Sequence, residues 1–374
     1  MVATKVGFAC IWDEPDPVKT WSYTPWSLRE ALRAQADVVD VGVRIPPLAR
    51  KALKAMHARR RDGRWVSTWE LSPITDAYIH RAIAGRASAE NCDAVLQIAD
   101  LAIIDRPYFL YQDLSFDLLL RLAEDEAVAY GSLNRDEMLR CRDRQQKLYE
   151  KASGVLAMSG WLARSLVEDT GLPPEKVHIV HPGRSSVVSG GELPVRSGPR
   201  RRLLIVGTDF IRKGGELVVA ALARLRKEVD PEITLTVVGP RSWPLPGDVP
   251  DGVDFVGPKP REEVGALFDS HDLFVMPSRK EAFGIVFAEA IARGLPCIGR
   301  NAFAMPEIIE PGLTGALVDG DDPDALAATI AATLADDALY AKCRDRAEWV
   351  GSHFSWQQSA ADALAAIHSV VPAA

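Results

Sequence analysis

Residues 278–299 read SRKEAFGIVFAEAIARGLPCIG, with two carboxylates, Glu281 and Glu289, eight positions apart and Gly284 between them. A carboxylate is well matched to a vicinal diol, because each oxygen accepts from one hydroxyl in a charge-assisted hydrogen bond. The preceding DLFVMPS reads as a strand ending at Ser278, and a helix is expected from Phe283 or Gly284 to Arg293, stopped by Gly294 and Pro296. The first amides of that helix, at Phe283, Gly284 and Ile285, lack intrahelical acceptors and can receive an anion, which a glycine allows to come close. Glu289 falls about 7.5 Å farther along the axis at 1.5 Å per residue. A nucleotide diphosphate sugar presents sugar hydroxyls, diphosphate and ribose in the same order as Glu281, helix start and Glu289. Spacing alone does not separate this from two solvated glutamates, one on a loop and one on a helix face.

A second loop bears on the choice. RLLIVG, 202–207, reads as a strand, and TDFIRKGG, 208–215, precedes the helical pattern ELVVAALARLR. Arg212 and Lys213 therefore stand beside two glycines at a helix start, where cations and free amides together suit a diphosphate leaving group. A pair of solvated cations at a turn is the plainer alternative.

Such loops need strands to carry them. Short apolar or β-branched runs are expected as strands at 5–12, 36–41, 93–98, 107–111, 154–158 and 177–181. A second set follows at 202–207, 233–238, 253–256, 272–276, 296–299 and 315–318. Helical patterns fall between most of them, so the chain is α/β, with mostly parallel sheets covered by helices on both faces. The non-periodic stretch SSVVSGGELPVRSGPRR, 185–201, is the expected linker between domains at 1–184 and 202–355. In sheets of this kind ligands bind outside the carboxyl ends of the strands.

Bulk properties agree with a soluble two-domain protein. A chain of 374 residues exceeds what one core usually serves, and 47% hydrophobic with 25% charged residues is ordinary globular composition. No apolar run approaches the roughly 20 residues a membrane-spanning helix needs. No signal peptide is read at the start, so a cytoplasmic location is expected. The five cysteines, Cys10, Cys92, Cys141, Cys297 and Cys343, are odd in number and form no Cys-x-x-Cys pair, which predicts reduced thiols and no zinc site. A net charge of −7 argues against nucleic acid as a partner. The acidic string DGDDPD, 319–324, lacks the glycine and distal glutamate of a calcium loop, and Asp322 with Pro323 reads as a helix cap and first-turn proline.

Taken together, EAFGIVFAE with its Pro-Ser strand end before and Gly-x-Pro after, GVLAMSGWLARSLVEDTGLPPEKVHIVHPG, GPKPREEVGALF, EIIEPGLTGALV and DDPDALAATI resemble the retaining glycosyltransferases of family four. The resemblance covers residues 150–335 well and 1–150 loosely. It implies the GT-B fold, two doubly wound Rossmann-like domains facing across a cleft, with a last helix at 356–371 crossing back to the first. It also implies sugar transfer from a UDP- or GDP-linked donor to an acceptor hydroxyl with retention, no cofactor and no metal. Carried over by position, Glu289 binds the donor ribose, and Glu281 with the backbone of Phe283, Gly284 and Ile285 contacts donor sugar and phosphate. Lys213 matches the diphosphate lysine. Thr208 stands after the strand glycine Gly207 where the family usually has arginine, a departure for which Arg212 is the available compensation. Base contacts are expected from backbone near Gly257. Asp113, at the end of PYFLYQDLS, takes the place of a family histidine, either as a hydroxyl ligand or as a turn residue.

Two loops of the first half invite partners. Trp12, Trp21 and Trp26 among Asp, Glu, Ser and Thr could form an acceptor surface, with at least one expected as core; Thr24 would cap a helix that Pro25 begins. Residues 50–64, RKALKAMHARRRDGR, carry seven Lys or Arg and one acid. As a basic amphipathic helix they could rest on the inner face of an anionic membrane; as a solvated face they would do nothing of the kind. A sugar-nucleotide 2-epimerase of the same fold and a non-catalytic nucleotide-sugar binding protein remain the alternative functions.

Overall fold

The computed structural model describes residues 4–61, 64–123, 133–184 and 192–371. Close packing divides the chain into one unit of Met1–Gly183 with Trp356–Ala374 and a second of Arg184–Ser355. The break at Gly183/Arg184 falls just ahead of the Ser- and Gly-rich stretch, of which 185–191 lie outside the described residues.

The first unit is built on β1 (Lys5–Ala9), β2 (Asp37–Asp40), β5 (Ala94–Ile98), β6 (Tyr108–Gln112), β7 (Gly154–Ala157) and β8 (Val177–Ile179). All pair in parallel, in the order β2-β1-β5-β6-β7-β8. Its helices are α1 (Thr24–Arg33), α2 (Pro47–Met56), α3 (Pro73–Ala89), α4 (Phe116–Ala123), α5 (Arg135–Lys151), α6 (Gly160–Glu168) and, from the far end of the chain, α12 (Trp356–His368). Ala360, Leu364 and Ile367 bury one stripe of α12 in the same core as Leu28 and Leu32 of α1, and Ser359 donates to the His181 carbonyl.

Strands buried on both faces read as continuous apolar runs, and AVLQI and YFLYQ are buried at every position. Their two glutamines are satisfied internally: Gln97 binds both backbone groups of Ala102 at 2.8 Å, and Gln112 accepts from the Tyr149 hydroxyl at 2.6 Å.

The basic segment departs from a single helix. α2 stops at Met56, and β3 (Ala58–Arg61) and β4 (Arg64–Ser67) form an antiparallel ribbon outside the main sheet. ARRR pairs in register with RWVS, so Arg59, Arg60 and Arg61 lie on a strand and not on the helix. Thr24 is not the N-cap of α1 either: it has helical dihedrals, and Tyr23, at φ 72°, takes the cap position.

The second unit carries β9 (Arg202–Val206), β10 (Thr234–Val238), β11 (Val253–Gly257), β12 (Leu273–Val275), β13 (Cys297–Arg300) and β14 (Gly315–Val318). The helices are α7 (Gly215–Glu228), α8 (Arg261–Ser270), α9 (Ile285–Ile291), α10 (Pro323–Ala335) and α11 (Asp337–His353). The parallel order β11-β10-β9-β12-β13-β14 reverses between β9 and β12. That reversal makes the loops leaving these two strands part and open a crevice at their carboxyl ends. Asp322 caps α10 by accepting from the Asp324 amide, and Pro323 opens it. Asp321 of the same acidic string spans Arg279 and Arg300, so it is engaged by guanidiniums.

Candidate functional site

The crevice at the β9/β12 reversal gathers most of the residues singled out in the second unit. β9 ends at Val206, and Gly207 follows with Thr208 exposed beside it. The chain then turns through Asp209–Lys213 to Gly214, the cap of α7, at φ 75°. A Cβ on Gly214 would lie 2.6 Å from the carbonyl oxygen of Pro277, so only glycine lets the β9 loop press against the end of the β12 strand. That contact joins the two loops.

Side chains then cross between them. Lys213 pairs with Glu281, and each side chain is only 13% exposed. Arg212 donates to the Lys280 carbonyl at 2.6 Å and to Asp209 at 3.0 Å. The Arg212 carbonyl in turn accepts from the Arg279 amide at 2.9 Å and the Ser278 hydroxyl at 3.2 Å. Arg279 ties the loop to Asp321 at 2.6 Å and to Glu216. Arg300 braces the other side, donating to the carbonyls of Ser278 and Pro277 at 3.2 Å each. The result is a cationic loop set against one carboxylate and held by backbone hydrogen bonds on both flanks.

Lys280 adds a cation that spacing did not single out. Burial, reinforced by the nearby Arg212, lowers its pKa to about 8. Such a shift in a cleft marks a group whose charge an anionic ligand would restore.

α9 begins one residue later than the outer limit expected, at Ile285, with Gly284 as its cap at φ 91°. A Cβ there would crowd Phe287 at 2.9 Å and Glu281 at 3.1 Å, so the glycine both turns the chain and makes room for Glu281. The Phe283 side chain is buried, with its ring edge-to-face on Phe354 at 5.7 Å. Only its backbone can meet a ligand. Glu289 stands half-buried on α9, close enough to Arg184 to oppose the lowering of that guanidinium's pKa by burial.

Glycines also edge the neighbouring strands. Gly207, Gly239 and Gly257 follow or end β9, β10 and β11, and Gly239 donates to the Gly257 carbonyl at 2.9 Å. A Cβ on Gly239 would sit 2.5 Å from the Gly207 carbonyl. Nearby, Trp243 packs on Phe210 and Phe255 at 5.8 Å each, and its indole Nε1 is buried with no partner among the described residues. Neither Gly239 nor Trp243 carries a motif that sequence reading could have used.

The first-unit candidates fall differently. Asp113 directly follows β6, half-buried next to the buried Tyr111, whose hydroxyl pKa is raised first by burial and then by that carboxylate. Trp12 is 5% exposed and packs on Phe8 and Trp26, with the buried Arg29 guanidinium 4.9 Å and 4.2 Å from the Trp12 and Trp26 rings. These two tryptophans are structure around an arginine held by Asp40, and Trp21 alone of the three is well exposed.

Among the described residues, no group of three or more His, Cys, Asp or Glu is placed to hold a metal ion, and no helix is long and apolar enough to cross a membrane.

Comparison with solved structures gives the class of fold. Sucrose-phosphate synthase from Thermosynechococcus elongatus superposes with a TM-score of 0.72 at 19% identity, covering 98% of this chain and 99% of that one. WaaG, a glycosyltransferase involved in lipopolysaccharide biosynthesis, does so at 0.64 with 17% identity, covering 98% and 100%. The fold is GT-B. Residues 195–349 match the family model described as Glycosyl transferases group 1. D-inositol 3-phosphate glycosyltransferase of Corynebacterium efficiens is 29% identical over 239 residues, 58% of this chain and 56% of that protein. GDP-mannose-dependent alpha-(1-6)-phosphatidylinositol monomannoside mannosyltransferase of Mycobacterium tuberculosis is 34% identical over 181 residues, 44% and 47%. The chain thus spans about half the length of the curated relatives it matches.

Proposed function

We propose that this protein transfers a sugar from a UDP- or GDP-linked donor to an acceptor hydroxyl, with retention and without metal or cofactor. The observation that carries the reading is the meeting of Lys213 and Glu281 across the β9/β12 crevice, which sets a cation for the diphosphate beside a carboxylate for sugar hydroxyls. Arg212 and Lys280 add positive charge on the same side. The first amides at Gly284 and Ile285 face a phosphate, and Glu289 takes the ribose diol. Backbone at Gly207, Thr208 and Gly257 borders the base. Asp113 serves a sugar or acceptor hydroxyl from the first unit. In a front-face transfer the bond from the anomeric carbon to the leaving phosphate oxygen breaks as the acceptor oxygen bonds to that carbon on the same face. The acceptor's proton passes to the departing phosphate oxygen, so the protein's task is to stabilise charge on the diphosphate. One relative's name, with GDP-mannose in it, supports a nucleotide-sugar donor, and the two names support inositol 3-phosphate or a phosphatidylinositol mannoside as the kind of acceptor.

Peripheral contact with an anionic membrane is proposed through α2 and its ribbon. α2 buries no side chain, and Leu48, Met56 and Trp65 are 81%, 66% and 77% exposed among Lys51, Lys54 and Arg60.

A panel of UDP- and GDP-sugars, with and without acceptor, tests the main reading. Product that requires an acceptor supports transfer; free nucleotide with an epimerised sugar would make it a 2-epimerase, and affinity without turnover a binding protein. Glu289→Ala is expected to abolish donor use with the fold intact, and full activity in that variant would sink the site.

A further inference from the structure

The six strands of the second sheet all run parallel, so their amino ends lie at the edge opposite the β9/β12 crevice. There the segment 194–200, which leads into β9, runs beside α11 and beside Gly294, which precedes β13. A cavity of about 390 Å³ lies between them, within the roughly 300–1,000 Å³ typical of small-molecule sites. None of the residues placed at the crevice borders it.

Its walls carry three guanidiniums and one carboxylate. Arg196 donates at 2.7 Å to the carbonyls of His271, Phe268 and Gly294. Asp272 and Asp269, whose charges reach it, pair instead with Arg202 and Arg293. Burial lowers the pKa of Arg196, so its charge is incompletely offset where it stands. Arg200, with a side chain 9% exposed, lies 3.9 Å over the Tyr340 ring and donates to the Leu334 carbonyl at 3.0 Å. Among the described residues its one ionic partner is Asp337, at 2.7 Å, and that carboxylate is 91% exposed.

Arg344 follows Asp337 by two turns of α11 and so projects from the same face. It is exposed at the cavity and has neither ion pair nor hydrogen bond among the described residues. Arg346, two residues on, is by contrast paired with Glu310 at 2.8 Å and laid over Trp349. An ion pair whose carboxylate stands in water contributes little. An incoming anion therefore displaces Asp337 from Arg200 at small cost and gains the unused fork of Arg344. The rest of the wall is apolar or bare: Pro194, Val195 and Ala341 offer surface for a short carbon skeleton, and Gly198 and Gly294 bring no side chain to obstruct it.

We infer that this cavity is a second ligand site, for a small organic anion of two or more negative charges, held by Arg344 and by Arg200 in place of Asp337. Phosphate esters and polycarboxylates share that chemistry. Bound there, the anion ties α11 to the segment that enters β9, away from the nucleotide.

Titration calorimetry on the full chain at fixed ionic strength tests it, with and without excess UDP or GDP. The probes are 3-phosphoglycerate and citrate, with acetate and glycerol as controls. At least one probe is expected to bind about tenfold or more tightly than acetate, the size of one charge-assisted bond, with nucleotide present as without it. Tighter binding of 3-phosphoglycerate identifies a phosphate ester as the ligand, and tighter binding of citrate a polycarboxylate. Arg344→Ala is expected to erase the preference over acetate, while Lys342→Ala, on the opposite face of α11 with its amine on the Gly312 carbonyl, keeps it. Asp337→Asn removes the competing carboxylate and should tighten binding about two- to fivefold. Both altered positions are exposed, so the variants are expected to keep the parent's thermal unfolding in probe-free buffer. A probe that binds only when nucleotide is absent occupies the β9/β12 crevice, and that result overturns the inference. So do an Arg344→Ala variant that binds as the parent does, weaker binding in Asp337→Asn, or no probe bound better than acetate.

Discussion

Lys213→Met probes both the packing and the proposed chemistry of the β9/β12 crevice. Lys213 and Glu281 are each 13% exposed, so removing the cation strands a largely buried carboxylate. Breaking a fully buried pair costs about 3–5 kcal/mol, and the residual exposure here reduces that to about 2 kcal/mol. In a unit of this size that corresponds to a fall in Tm of about 4–8 °C. Loss of a charge-assisted hydrogen bond to a diphosphate is expected to weaken UDP or GDP binding by about ten- to hundredfold. The double variant Lys213→Met/Glu281→Leu separates the two effects. With both charges gone nothing is stranded, so most of the stability returns, with a coupling energy of about 1–2 kcal/mol in the cycle. Nucleotide affinity stays low, because the cation is still missing. Thermal unfolding and calorimetry on the four proteins measure both quantities. Unchanged Tm and affinity in Lys213→Met, or recovery of nucleotide binding in the double variant, would refute the reasoning.

Other expectations follow from neighbouring residues. Lys280, with a pKa near 8 against an ordinary 10.5, binds fewer protons folded than unfolded between those values, so stability should rise with pH across that window. A diphosphate favours the protonated form, so nucleotide affinity should fall as pH climbs through 8, and Lys280→Met should flatten both profiles. Arg196 donates at 2.7 Å to the carbonyls of His271, Phe268 and Gly294, strapping the start of the second unit to its core. Arg196→Ala leaves these acceptors unpaired and should cost about 2–4 kcal/mol, read as a lowered urea midpoint. Binding to anionic vesicles through α2 and its ribbon should drop steeply between about 0.05 and 0.5 M salt and weaken in Trp65→Ser; salt-independent binding, or none, removes that contact.

What could be read in the linear chain was what short-range chemistry controls. All twelve expected strands of the two sheets are present, though their ends move by a few residues; the central ones are legible because burial on both faces demands continuous apolar runs. The α10 cap at Asp322 and the chain reversal at Gly294 are likewise local, set by a side chain or a dihedral within a turn. The pairing of β3 with β4 was not legible, since ARRR has none of the alternation that marks a strand and needs RWVS as its partner. At least one of Trp12, Trp21 and Trp26 reads as core from the sequence, but which of them does depends on Arg29 and Asp40, which gather Trp12 and Trp26. Glu281 and Glu289 were conspicuous by spacing, yet the partner of Glu281 lies 68 residues away in sequence. Lys213 reaches it because β9 and β12 are neighbours at the strand-order reversal, and strand order is a property of the sheet. Sequence by itself determined the elements and the chemical groups at their ends; tertiary structure decided which ends meet, because long-range parallel pairing is settled by burial of whole faces and by no local signal.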